Sequence, residues 1–381
     1  MQLSNRALRF DALDGLRGIA ALTVMAGHCG LLLGVFWLPN NLVAVDTFFV
    51  MSGFVIAHSY GERLSKGMRA SEYLYRRVVR LYPMYIIGVL IGAAVLYYGV
   101  HSGAIEYRSK DILSGVLLNL LYIPFFNEAQ IYFNFEAGQV FPADPPAWSL
   151  FLEMLASGAF LLLFGLQRKA LVLVSALCYV SLIAAGVYYA SIKGGAWVDI
   201  HNGWATKNFF GGFPRVGFSF SLGVLLYELS RGGARRRIQS LVERISCPSF
   251  ALYGAAFAML LFPRSIHGLY PLLAVATVGP AIVFVGAQIE LHPGLERNIA
   301  TFLGWISYPV YCLHYPVLRL VIFLRNGQQD SGYLLLAVTA AVTLVLAVVL
   351  TRCYEEPLRA ALSTLWSTRA RPRIAEENKS A

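Results

Sequence analysis

The chain has 381 residues, 57% of them apolar and 14% charged, with a mean hydropathy of +0.60. Soluble globular domains carry about 25% charged residues, so neither a soluble enzyme nor a nucleic-acid-binding module fits this composition. The net charge of +10 belongs to membrane topology rather than to a polynucleotide, as its distribution along the chain shows.

In chain order, ten apolar runs approach the ~20 residues that cross a bilayer as a helix. They predict spans at about 16–36, 42–59, 82–100, 148–165, 170–191, 208–229, 248–262, 271–289, 301–324 and 333–352. The fold class is therefore all-α, a polytopic transmembrane helix bundle. The first run lacks a small-residue cleavage site and reads as a retained helix. Of the 31 Lys and Arg residues, 23 fall in the terminal segments and alternate loops, six in the opposite loops and two inside spans. By the positive-inside rule both termini, loop 60–81 and loop 230–247 are expected in the cytoplasm.

The segment 112–125, "ILSGVLLNLLYIPF", is too short for a full span, and counting it as one would put basic loops outside. It is expected to be re-entrant or interfacial, within a large non-cytoplasmic region, 101–147. Tyr122, Phe125, Phe126, Tyr132, Phe133, Phe135 and Phe141 form there either an interfacial aromatic belt or a platform for sugar rings. Residues 1–359 read as one membrane domain, and 360–381 as a disordered cytoplasmic tail. The cysteines at 29, 178, 247, 312 and 353 stand singly, so neither a disulfide framework nor a metal site is expected.

Ionisable residues inside apolar spans mark functional sites by default. Arg17 and His28 lie 11 residues apart, close to three helical turns. They share one face, about 16 Å apart by helix rise. The bland alternative is that Arg17 snorkels to the surface and His28 bonds a neighbouring carbonyl. Asp46, one turn into the second span, is placed to orient His28 across a short loop, or else caps a helix. Arg77 and Arg80 share a face at the cytoplasmic border, where arginine can grip phosphate, although topology alone also asks for arginine there. Pro145 and Pro146 open the fourth span, with Trp148 at the interface and Glu153 two turns in. Arg215 and His314 also lie inside spans. His28, Glu153, Arg215 and His314 are expected to converge on a polar cavity in the outer half of the bundle. Such a cavity suits an enzyme; it also suits a transporter or flippase for a lipid-linked sugar.

Several stretches in order carry a resemblance: "LDGLRGIAALTVMAGH" (13–28), "VDTFFVMSGFVIA" (45–57), "RRVVRLYP" (76–83), "PPAWSLFLE" (145–153), "ISYPVYCLHYP" (306–316) and "YEEPLR" (354–359). Together they resemble the acyltransferase-3 family of membrane acyltransferases. The resemblance implies transfer of an acyl group, often acetyl, from cytoplasmic acyl-CoA to a hydroxyl of an extracytoplasmic or lipid-linked carbohydrate or related acceptor. It implies a bacterial inner membrane location, acyl-CoA as co-substrate and no permanently bound cofactor. Carried over by position, His28 is the catalytic histidine, with Arg17, Arg77 and Arg80 on the donor side. Glu153 and His314 are motif residues. Asp46 joins the catalytic set, and Trp148 and Arg215 are candidates for the acceptor or the oxyanion.

Overall fold

The computed structural model describes residues 10–35, 38, 40–105, 108–128, 138–194, 196–231, 239–242, 244–245, 248–262, 268–325 and 331–365. Tyr132, Phe133, Phe135, Cys247 and residues 366–381 of the expected tail lie outside the described residues.

The described chain is a helical bundle. In order it forms α1 (Asp11–Leu33), α2 (Val43–Ser65), α3 (Ala70–His101), α4 (Ser109–Leu120), α5 (Ala147–Leu163) and α6 (Arg168–Lys193). It continues with α7 (Gly212–Ser230), α8 (Pro248–Leu261), α9 (Leu269–Ala276), α10 (Val278–Gly286), α11 (Leu295–Arg325) and α12 (Gly332–Leu350). Among the described residues, eight helical stretches are long and apolar enough to cross a membrane. The other two expected spans are the shorter apolar helices α5 and α8, of 17 and 14 residues. α1 ends at Gly34, whose φ of 67° is the left-handed conformation that stops a helix at little cost to glycine.

Three boundaries differ from expectation. The run 271–289 is broken at Thr277 (φ −127°, ψ −69°) into α9 and α10. Pro280 explains the restart, because proline has no N–H to give the preceding turn but fits the first turn of a new helix. The last helix does not end at 352: it passes through a π-turn at Thr351–Glu355 and stays helical to residue 365. Residues 360–365, placed in the expected tail, are thus helical. The segment 112–125 forms the 12-residue α4, about 18 Å by helix rise and short of the ~30 Å hydrocarbon core. Beyond it Tyr122 takes φ 63°, and the Phe125 amide donates to the Val140 carbonyl at 2.8 Å. The chain thus doubles back onto the start of α5.

Packing separates a central helix from peripheral ones. α11 is 78% buried across its most apolar window, and α6 is 22% buried. α6 turns Leu173, Leu177, Val180 and Ile192 outward, as a lipid-facing helix does. α11 packs along α1, and α2 along α7. The α1–α11 contact depends on glycine: a Cβ on Gly18 would fall 2.3 Å from the Cβ of Leu303, and one on Gly304 would fall 2.5 Å from the Cβ of Asp14. Close approach through small residues is how helices associate where lipid removes the hydrophobic drive. On the far side of α11, Pro316 denies the Cys312 carbonyl its usual donor. α3 fits against that carbonyl at Gly88, where a Cβ would be 2.6 Å away.

Gly18→Ala is expected to lower stability by about 1–3 kcal/mol, the usual cost of overpacking. A lowered thermal midpoint of the purified protein in detergent checks this, with Ala20→Gly as a control on the same helix.

Candidate active site

The packing of α1 against α11 brings two imidazoles together. His28 Nδ1 lies 3.0 Å from His314 Nε2, and the rings stack with centroids 5.2 Å apart. The other ring nitrogen of His314, Nδ1, is 3.0 Å from the Val310 carbonyl one turn back. A carbonyl only accepts, so His314 Nδ1 carries the hydrogen, and in a neutral ring Nε2 is then an acceptor. His28 Nδ1 must donate to it. The hydrogen-bond network thus assigns the tautomers and leaves Nε2 of His28 as a basic lone pair. His314 is fully buried and His28 half-buried.

Two clefts flank this pair. The first, about 270 Å³, lies toward the basic face; Arg17, Arg77, Arg80 and Arg359 line it with Asp14, Ser52, Glu153 and Glu355. The second, about 580 Å³, lies toward the opposite face; His28, Trp148, Lys193, Asp199, Trp204 and Tyr315 line it. Arg17 and His28 therefore mark one face of α1 but open onto different clefts. Outside the spans, burial pushes the Asp199 carboxyl up, but His201 and Lys193 together hold it below its usual range.

In the basic cleft, charge is nearly balanced. Arg17 pairs with Asp14, Arg77 with Glu153 at 3.1 Å, and Arg359 with Glu355 at 3.2 Å. Among the described residues Arg80 has no carboxylate partner and no hydrogen bond, though it lines the same cleft. It is the cation of this cleft that no lining carboxylate pairs with among the described residues. Glu153 also accepts from Ser52 Oγ at 2.7 Å.

These positions correct three expectations. Asp46 does not orient His28. It forms a two-point ion pair with Arg215, Nε to Oδ1 and Nη2 to Oδ2, both 2.8 Å. The reason is that α2 lies along α7, which turns Asp46 toward Arg215. Arg215 is not poised as an oxyanion donor either. Two more of its hydrogens go to the Leu42 carbonyl at 2.8 Å and the Asn202 carbonyl at 3.3 Å, and its guanidinium lies 5.3 Å from the centroid of Trp148. Third, Glu153 does not join the histidines. α5 is only 17 residues long, so two turns from its start is near its middle, and the long side chain of Arg77 reaches it there. Trp148 lines the same cleft as His28.

The sequence reading missed Ser52, Ser149, Tyr311, Glu355 and Arg359 as cleft residues. Glu355 and Arg359 had a signal, since they are charges in the "YEEPLR" stretch directly after an apolar run. Ser149 and Tyr311 had none: a Ser and a Tyr in a membrane helix are ordinary.

Asp46→Asn removes the charge that compensates a fully buried guanidinium. The expected cost is about 3–5 kcal/mol, as for other broken buried pairs. It should appear as a lower thermal midpoint and lower membrane abundance, whereas His28→Ala should leave both near wild type.

Comparison with known proteins supports a membrane acyltransferase. The family described as an acyltransferase domain matches residues 10–352. "Protein 2 in picA locus" of Rhizobium radiobacter is 33% identical over 161 residues, covering 40% of this chain and 81% of that protein. A Komagataeibacter xylinus protein with the provisional name of membrane-bound transacylase BcsY is 26% identical over 343 residues, covering 86% and 79%. Acyltransferase MdmB of Streptomyces mycarofaciens is 25% identical over 349 residues, covering 85% and 82%. No solved structure matches the chain. With its apolar helical bundle and a family match across nearly its whole length, the chain belongs to the acyltransferase-3 family and is an integral membrane acyltransferase.

Proposed function

We propose that this enzyme moves a short acyl group, acetyl in the simplest case, from acyl-CoA to a hydroxyl of a carbohydrate or lipid-linked glycan. The donor enters from the cytoplasm into the basic cleft, and the acceptor enters the opposite cleft from the other side of a bacterial inner membrane. The asymmetry of Lys and Arg between alternate loops supports the basic face and both termini as cytoplasmic. The observation that carries the reading is the back-to-back arrangement: a cation-lined cleft on one side of the bundle, and on the other a cleft lined by His28, which His314 supports from behind.

CoA is polyanionic, and Arg80 is the group in the basic cleft best suited to meet a phosphate, since its neighbours Arg17, Arg77 and Arg359 already have carboxylate partners. A slim pantetheine arm covers the remaining distance, about 16 Å by helix rise from the level of Arg17 to that of His28. The acceptor oxygen attacks the thioester carbonyl carbon while His28 Nε2 takes its proton as general base. His28 then carries a positive charge, and its Nδ1–H points at the lone pair of His314, which holds the ring in place and stabilises the cation. Collapse of the tetrahedral species breaks the C–S bond, and His28 returns the proton to the CoA thiolate. His314 thus serves as the third group that orients the base.

Two measurements test this. His28→Ala should abolish transfer of labelled acetyl from acetyl-CoA to glycan in membranes holding wild-type amounts of enzyme; retained transfer removes the assigned base. Arg80→Ala should raise the KM for acyl-CoA by on the order of tenfold or more, one lost charge-assisted hydrogen bond, with little change in the KM for acceptor. An unchanged donor KM removes the phosphate role.

A further inference from the structure

The two clefts share no lining residue, yet they abut at one level of the bundle. At the start of α2, Val45 lines the basic cleft and Leu42, just before the helix, the opposite one; on α5, Ser149 and Trp148 divide in the same way; on α11, Tyr311 and Tyr315 do. The boundary therefore cuts three helices at the same height. At that height Tyr311 OH meets Ser149 Oγ at 2.7 Å, and both residues are at least 95% buried. Ser149 Oγ itself donates to the Pro146 carbonyl at 2.9 Å, so Tyr311 is the donor in the pair. The Tyr311 ring stands 5.8 Å from Phe48 on one side and 5.8 Å from His314 on the other. The deep end of the basic cleft is thus closed, and His28 lies behind two ring-to-ring steps of 5.8 and 5.2 Å. Attack requires the thioester carbonyl carbon within about 3–3.5 Å of the acceptor oxygen that His28 deprotonates, so the arrangement seen is a closed one.

We propose that the Tyr311–Ser149 hydrogen bond is the gate between donor and acceptor clefts, and that Tyr311, once released, donates its hydroxyl to the thioester carbonyl oxygen. The inference rests on the donor and acceptor reading above. Three features support it. The gate is held by one neutral hydrogen bond rather than an ion pair, so a bound donor can compete for it. Pro309 and Pro316 each remove a backbone hydrogen bond from α11, on either side of Tyr311 and His314, and loosened rungs are where a helix adjusts. Finally, Arg215 spends four of its five N–H groups on Asp46 and carbonyl groups and lines neither cleft, so the oxyanion needs another donor.

In the open state the acceptor oxygen bonds to the carbonyl carbon, and the carbonyl π electrons move to oxygen, where the Tyr311 O–H meets them. The C–S bond then breaks, and the thiolate takes the proton that His28 removed. The closed state keeps water in the larger cleft from making the same attack, which would yield free carboxylate and thiol. Tyr311 is then both the catalytic donor and the barrier to hydrolysis.

The test uses the full-length enzyme in lipid nanodiscs, with acetyl-CoA and with a thioether analogue that binds without reacting. Tyr311→Phe keeps the ring and loses the hydroxyl. It should bind the analogue normally and transfer on the order of a hundredfold more slowly, as when an oxyanion donor is removed. Tyr311→Ala removes the barrier; acceptor-free hydrolysis of acetyl-CoA should rise severalfold while transfer falls. Transfer at the wild-type rate by Tyr311→Phe overturns the proposal. So does Tyr311→Ala with intact analogue affinity and unchanged hydrolysis. If the alanine variant does not fold, the phenylalanine variant decides alone. Failure of the wild-type enzyme to bind the analogue overturns the donor assignment as well, which separates the two readings.

Discussion

An ionisable side chain inside hydrocarbon has no water to turn to, and the arrangement of this bundle follows from that constraint. Arg215 is met by Asp46, Arg77 by Glu153, and His28 by His314. Arg319 is met by the Pro142 carbonyl and the side-chain oxygen of Gln139. Each pairing ties together two elements distant in sequence: α2 to α7, α3 to α5, α1 to α11, and α11 to the chain that leads into α5. The polar groups that a membrane helix would ordinarily avoid therefore fix its neighbours. Arg80 is the exception among the described arginines of the basic cleft, and an unmet charge there has the character of a binding element rather than a structural one.

The same constraint explains the division of labour between Asp46 and His314. Sequence proximity put Asp46 close to His28, since only a short loop joins α1 and α2. Charge chose otherwise. A fully buried guanidinium demands a carboxylate far more strongly than a neutral imidazole does, and Arg215 took it. A second imidazole, fixed by a backbone carbonyl, is enough to orient the first without drawing its basic nitrogen away from the cleft. The partner of His28 is thus a neutral ring rather than a carboxylate.

Much of this was legible in the chain itself. The apolar helical runs, the short helix within 112–125 and the shared face of Arg17 and His28 follow from run length and 3.6-residue periodicity, because these are local properties. Tertiary partnerships were not legible. Nothing in "SYPVYCLHYP" says that His314 reaches His28, or that Tyr311 and Ser149 meet. Those contacts depend on Gly18, Gly88 and Gly304 letting helices approach, and a glycine in an apolar run gives no sign of which neighbour it admits. Helix ends were also poorly marked: the last helix runs to residue 365 through a π-turn, which no residue pattern announced.

The absence of any shared lining residue between the two clefts has an evolutionary consequence. Substitutions around Trp148, Lys193 and Trp204 can remodel one compartment while the other, with its arginines, stays as it was. On the donor and acceptor reading proposed above, new alcohols can thus be recruited through drift in a single chamber without relearning how to handle the activated carrier.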